Sequence, residues 1–151
     1  VFDTWSANEH LATDLRQVQQ VQAEAPRIVS EFWCGQADTW GSEHESGSTS
    51  QCEYRLAQIL STGSQYNLHM FHGGTNFGFY GGRCTASPQA FLTTSFDYDA
   101  PVAEGGHLGE KYWAVKRIST FASQFGHVFA HLDPDTYHVA VEPNEQQHPY
   151  E

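Results

Sequence analysis

Short β-branched and aromatic runs alternate along this chain with amphipathic, capped helical segments, and that alternation restricts the fold more than any single residue does. Val1-Phe2-Asp3-Thr4-Trp5, Ile28-Val29-Ser30-Glu31-Phe32-Trp33 and Tyr66 to Phe71 read as strands. Ser6 with Glu9 forms a capping box, in which each side chain satisfies a backbone N–H at a helix start. Leu11, Leu15, Val18 and Val21 follow at the helical period, so one apolar face is buried while Arg16, Gln17, Gln19 and Gln20 turn to water. The grammar repeats: Ser50-Gln51-Cys52-Glu53 is a second capping box, Leu56, Ala57 and Leu60 form the stripe, and Gly63 is the stop. A last helix is predicted over about Gly109 to Phe125, with Tyr112, Val115, Ile118, Ala122 and Phe125 on one face and Gly126 as its stop.

Such βα order implies parallel strands with helices outside them. Loops after the strands are long and rich in aromatics, whereas those before them are short. That asymmetry suits the active-site face of a (β/α)8 barrel. Three βα units cannot close a barrel, so the expectation is an α/β fold forming the C-terminal portion of a TIM barrel, a fragment of a longer chain; an open doubly wound sheet is the alternative. Residues 1–126 hold the βα pattern. Residues 127–151 begin a linker or a following region, polar and without apolar period from Asn144 to Glu151.

Composition excludes several classes. Seven Lys and Arg against 18 Asp and Glu give a net charge of −11, which repels a phosphate backbone, so no nucleic-acid partner is expected. No apolar run approaches the roughly 18 residues of a membrane helix. Cys34, Cys52 and Cys84 are an odd number without a C-x-x-C pair; no disulfide framework is expected, and a single internal bridge stays open.

Chemistry concentrates around Glu31. Strand alternation places Val29, Glu31 and Trp33 on one face and Ile28, Ser30 and Phe32 on the other. A carboxylate beside apolar neighbours is costly unless it has partners or chemistry to perform. His69 and His72 fall on opposite faces of the third strand, which disfavours a shared ion, so no metal is expected. Gly73-Gly74-Thr75-Asn76-Phe77-Gly78 has neither the Lys-Ser/Thr of a P-loop nor the spacing of a dinucleotide motif, and reads as a tight turn shaping a pocket. Asp97 and Asp99 are expected to anchor their loop. Trp33, Trp40, Phe77, Phe79 and Tyr80 offer flat apolar faces on which a pyranose can stack, packing being the commoner role for any one of them. Cys34 has no His partner at a recognisable spacing and reads as structural.

Ser30-Glu31-Phe32, Met70-Phe71-His72-Gly73-Gly74-Thr75-Asn76-Phe77-Gly78 and Thr94-Ser95-Phe96-Asp97-Tyr98-Asp99-Ala100-Pro101, in that order, resemble the motifs of glycoside hydrolase family 35 β-galactosidases. The likeness runs from about Pro26 to Lys116. It implies that residues 1–126 are the last strands and helices of a catalytic barrel that hydrolyses terminal β-D-galactosyl residues with retention, without metal or organic cofactor. It further implies Glu31 as nucleophile, with the acid/base Glu upstream of Val1, so the isolated chain is expected to be inactive. Tyr98 matches a family Tyr near the nucleophile. Family members commonly carry Tyr where His69 stands and often Trp where Gln36 stands, both beside the sugar; Phe96 replaces a frequent Tyr. The expected substrate-binding set is therefore Tyr98, His69, Trp33 and Gln36, and the expected partner a β-galactoside or oligosaccharide. Extracellular, periplasmic and lysosomal settings all agree with the resemblance, and oligomeric state is not set by the sequence. The rival readings are another retaining β-glycosidase of the same barrel clan and a non-catalytic carbohydrate-binding relative.

Overall fold

A computed structural model describes residues 2–4, 11–23, 25–83, 91–129 and 131. Among these residues three strands and three helices alternate: β1 (Phe2–Thr4), α1 (Leu11–Val21), β2 (Ile28–Phe32), α2 (Thr49–Ser61), β3 (Gln65–Leu68) and α3 (Glu110–Phe129). The strands form one sheet in the order β1-β2-β3, each pair parallel, as the βα alternation requires. α2 packs against both α1 and α3. Leu11, Leu15, Val29, Phe32, Cys34, Cys52, Leu56, Ile59 and Val115 form one buried cluster between helices and sheet. Each fully buried leucine or isoleucine there contributes about 2 kcal/mol by leaving water.

Several expectations change in detail, each for a local reason. Val29 and Phe32 are both buried, although strict alternation would put them on opposite faces. The register explains it: Val29 pairs with Tyr66 and Phe32 with Leu68, three steps on β2 against two on β3. The extra residue in β2 turns Phe32 back towards the helices. β3 ends at Leu68, so His69 and Met70 lie in a turn, joined by a cis peptide bond, rather than on a strand.

The helices shift as well. The capping box at Ser6 and Glu9 lies outside the described residues. In α1 the apolar stripe outruns its contact surface: Leu11 and Leu15 are buried, but Val21 is 89% exposed. α2 is capped by Ser48, not Ser50, its hydroxyl accepting the Gln51 N–H at 3.4 Å. The Ser-rich approach offers several hydroxyls, and Glu53 is drawn instead to Arg117 of α3, 2.9 Å away. The buried stripe of α2 is Cys52, Leu56 and Ile59, leaving Ala57 exposed and Leu60 half-buried. Gly63, at φ 68°, ends that helix as expected. Gly126 does not end α3, which continues to Phe129; a mid-helix glycine costs only about 1 kcal/mol, and Phe121 packs its ring on Phe125 and Phe129 at 4.9 and 5.6 Å. Among the described residues no helix is long and apolar enough to cross a membrane.

Between β3 and α3 runs a long loop held by isolated bridges such as His72 with Val102 and Thr75 with Ser95. Lys111, in the first turn of α3, is buried and fastens this loop to the one after β2. Its ammonium donates to the Cys34 carbonyl at 2.6 Å and pairs with the Asp99 carboxylate. Asp99 also accepts the Gly47 N–H at 2.7 Å. Two glycines let the segments close up. A Cβ on Gly35 would stand 2.1 Å from the Tyr98 carbonyl oxygen, and one on Gly73 only 1.6 Å from that of Phe96.

Replacing Lys111 by Met should lower unfolding free energy by about 3 kcal/mol, because Asp99 would lose its buried counter-ion; urea denaturation of the wild type and variant measures the difference. The same titration should separate two glycines. Gly73→Ala should cost about 2 kcal/mol or more through backbone overlap, whereas Gly126→Ala, with open space around it, should stabilise by up to about 1 kcal/mol.

Candidate active site

Glu31 is half-buried at the C-terminal end of β2, where parallel strands of α/β folds present their functional groups. Its Oε2 accepts the indole N–H of Trp33 at 3.1 Å. The register shift that buries Phe32 brackets Ser30 and Glu31, so the strand irregularity occurs where the carboxylate is presented.

Around this pair two loops, the one after β2 and the one between β3 and α3, bring their rings together. His69, just past β3, stacks on Trp33 with centroids 5.4 Å apart and planes at 29°. Tyr98, from the long loop, lies 5.6 Å from Trp33 and 6.2 Å from His69. Phe96 packs on Tyr98 at 4.0 Å and meets His69 edge-on at 5.9 Å. Tyr98 and Asp99 adopt φ 53° and 50°, a left-handed conformation costing roughly 1–2 kcal/mol per residue. The Asp99–Lys111 pair helps to offset that cost.

Four of the five residues singled out from the sequence thus converge: Glu31, Trp33, His69 and Tyr98. Gln36 does not join the ring cluster. It is exposed and lines an adjoining cavity of about 90 Å³ together with Trp33, Cys34, Cys52 and Arg55. Trp40, Phe77, Phe79 and Tyr80 stand in solvent, 63%, 85%, 91% and 82% exposed, Phe77 stacking on Tyr80 at 6.0 Å. Asp97 anchors its loop as expected, accepting the Glu104 N–H at 2.6 Å. His72 is hydrogen-bonded to the Glu104 carbonyl at 3.3 Å. Hydroxyls of Ser95 and Thr75 hold the exposed Glu104 carboxyl below its usual range. Among the described residues no group of three His, Cys, Asp or Glu side chains is placed to hold a metal ion.

Sequence reasoning missed Lys111, since one lysine at a helix start reads as a solvated charge, and only the approach of Asp99 and Cys34 reveals it. It also missed how close Cys34 and Cys52 come. A signal existed: Cys52, Leu56 and Ile59 share the four-and-three spacing of a buried face.

The sequence profile of glycosyl hydrolases family 35 matches residues 2–122. A β-galactosidase from Macaca fascicularis is 43% identical over 107 residues, covering 70% of this chain and 15% of the relative. Beta-galactosidase-1-like protein 3 from Mus musculus is 34% identical over 120 residues, 80% of this chain and 18% of the relative. The human β-galactosidase is 43% identical over 100 residues, 66% of this chain and 14% of the relative. The matched part of the chain therefore spans less than a fifth of the length of these relatives.

His44 provides a pH test of the loop beside the site. Its Nδ1 lies 2.7 Å from Asp38, and that hydrogen bond raises the imidazole above its ordinary 6.5. The stabilisation from the pair is complete below 6.5 and is lost as pH rises through the raised folded value. An NMR titration should give His44 a midpoint above 6.5, and Asp38→Asn should move it down.

Proposed function

The chain belongs to glycosyl hydrolase family 35, and from that premise we propose that it supplies the nucleophile of a retaining β-galactosidase. The observation that carries the reading is Glu31 itself, a carboxylate at a strand's C-terminal end, held by an indole N–H within a half-ring of aromatic side chains. The three parallel strands are then the last three of a (β/α)8 barrel.

In this reading the reaction is a double displacement. Glu31 attacks the anomeric carbon of a terminal β-D-galactosyl unit and forms a covalent glycosyl intermediate. A second carboxyl group about 5–5.5 Å away protonates the departing oxygen and then activates water; we assign that role to a Glu outside this chain. The Trp33 N–H holds Oε2 so that the carboxylate approaches the anomeric carbon in one orientation. Trp33, His69 and Tyr98 bound the sugar, their rings offering flat apolar surface with polar edges. Gln36, in the adjoining cavity, meets whatever extends beyond the galactose.

His69 supports a second reading within the same chemistry. An imidazole stacked on Trp33 occupies the position where the resembling family commonly has a phenol, which favours a sugar or linkage other than an unmodified β-galactoside.

Hydrolysis of a chromogenic β-galactoside by the intact protein tests both. Glu31→Gln should lose roughly 10³-fold or more in kcat, about 4 kcal/mol of transition-state stabilisation, and NMR of the first-formed sugar should show the β anomer. A wild type inactive on galactosides but active on other β-glycosides supports the second reading. Equal activity of wild type and Glu31→Gln rejects Glu31 as nucleophile. Trp33→Phe, which removes one hydrogen bond to the carboxylate, should reduce kcat by about 10-fold.

A further inference from the structure

We propose that Cys34 and Cys52 are an oxidation site, joining as an intramolecular disulfide that closes the loop after β2 onto α2. This inference is independent of the glycosidase reading. The two sulfurs lie 2.9 Å apart although the residues are separated by 18 positions, and both thiols are free and buried. Each is carried by a braced segment. Cys34 follows β2 directly and its carbonyl is held by the buried Lys111 ammonium at 2.6 Å. Cys52 sits in the first turn of α2, inside the cluster with Leu56 and Ile59. Little backbone movement is then needed to bring the sulfurs to bonding distance.

Access is provided by the cavity of about 90 Å³ that both cysteines line with Gln36, Gly47, Ser48 and Arg55. It is large enough for two or three water-sized molecules, a water's share of the liquid being about 30 Å³. That size fits a small hydroperoxide and not a bulky disulfide reagent. The two thiols are also unequal. The hydrogen bond between the sulfurs, then the charge of Lys111, favours the Cys52 thiolate, whereas the same hydrogen bond, then burial, pushes the Cys34 thiol up. Cys52 is therefore the attacking group.

The step balances with hydrogen peroxide as oxidant. The Cys52 thiolate attacks one peroxide oxygen, the O–O bond breaks, and hydroxide leaves to give the sulfenic acid. Cys34, losing its proton, attacks the Cys52 sulfur; the S–S bond forms and the sulfenic oxygen departs as water. Two thiols lose two electrons and two protons, and one peroxide becomes two waters. The cross-link closes a ring around Gln36, Asp38 and His44, and restricts the unfolded chain more than the folded one.

The test treats the intact protein, wild type and Cys84→Ser, with a small excess of hydrogen peroxide, followed by iodoacetamide under denaturing conditions, digestion and mass spectrometry. Both proteins should yield one cross-linked peptide pair containing Cys34 and Cys52, two hydrogens lighter than the reduced pair and unalkylated. The melting temperature should rise by about 3–8 °C on oxidation, and Cys52→Ala should show no such rise. Full alkylation of both cysteines after peroxide, sulfinic acid without a cross-link, or pairing of either residue with another cysteine would overturn the proposal.

Discussion

The ion pair of Lys111 with Asp99 is the constraint on which the site's shape depends. A buried ammonium loses several kcal/mol of hydration, and that loss is recovered only when every donor is used well. Here the ammonium serves the Asp99 carboxylate and the Cys34 carbonyl together. One side chain from α3 thereby fixes the loop after β2 against the loop before α3. The paired Asp99 and its neighbour Tyr98 are in left-handed backbone, with the Tyr98 ring beside Trp33 and His69. Trp33 in turn orients Glu31. Ion pair, backbone, ring and carboxylate form one chain of dependence.

Bracing of this kind is needed because the site is built mostly from loops. The sheet supplies three short parallel strands and ends at Phe32 and Leu68; Trp33, His69, Phe96 and Tyr98 all lie beyond them. Their positions are held by close backbone approach at Gly35 and Gly73 and by carboxylates used as acceptors for backbone N–H groups, as Asp97 and Asp99 are. The carboxylates flanking Tyr98 therefore act on the loop. Glu31 accepts an indole N–H from Trp33, whose ring packs against His69 and Tyr98.

Most errors of sequence reading concern features with no local signature, the buried face that carries Cys52 being the exception. Alternation placed Glu31 and Trp33 together correctly, yet failed for Phe32, because a register shift is settled by how β2 meets β3 and not by β2 alone. The cap of α2 moved to Ser48 because several neighbouring hydroxyls compete and Glu53 had Arg117 available across the helix interface. α3 passed through Gly126 because contacts among tilted phenylalanine rings offset a small propensity cost. His69 reached the cluster from a turn, although the apolar run through Phe71 reads as continuous strand.

The amino-acid sequence by itself determined the βα order, the parallel pairing that follows from it and the family, and it singled out Glu31 as the candidate carboxylate, since these rest on period, spacing and motif. Tertiary structure alone decided which rings meet, that Lys111 is buried, and that Cys34 and Cys52 touch. Those facts concern residues distant along the chain, such as Cys34 and Lys111 or Trp33 and Tyr98. Their proximity is set by the packing of strands, helices and loops against one another, and no local pattern carries it.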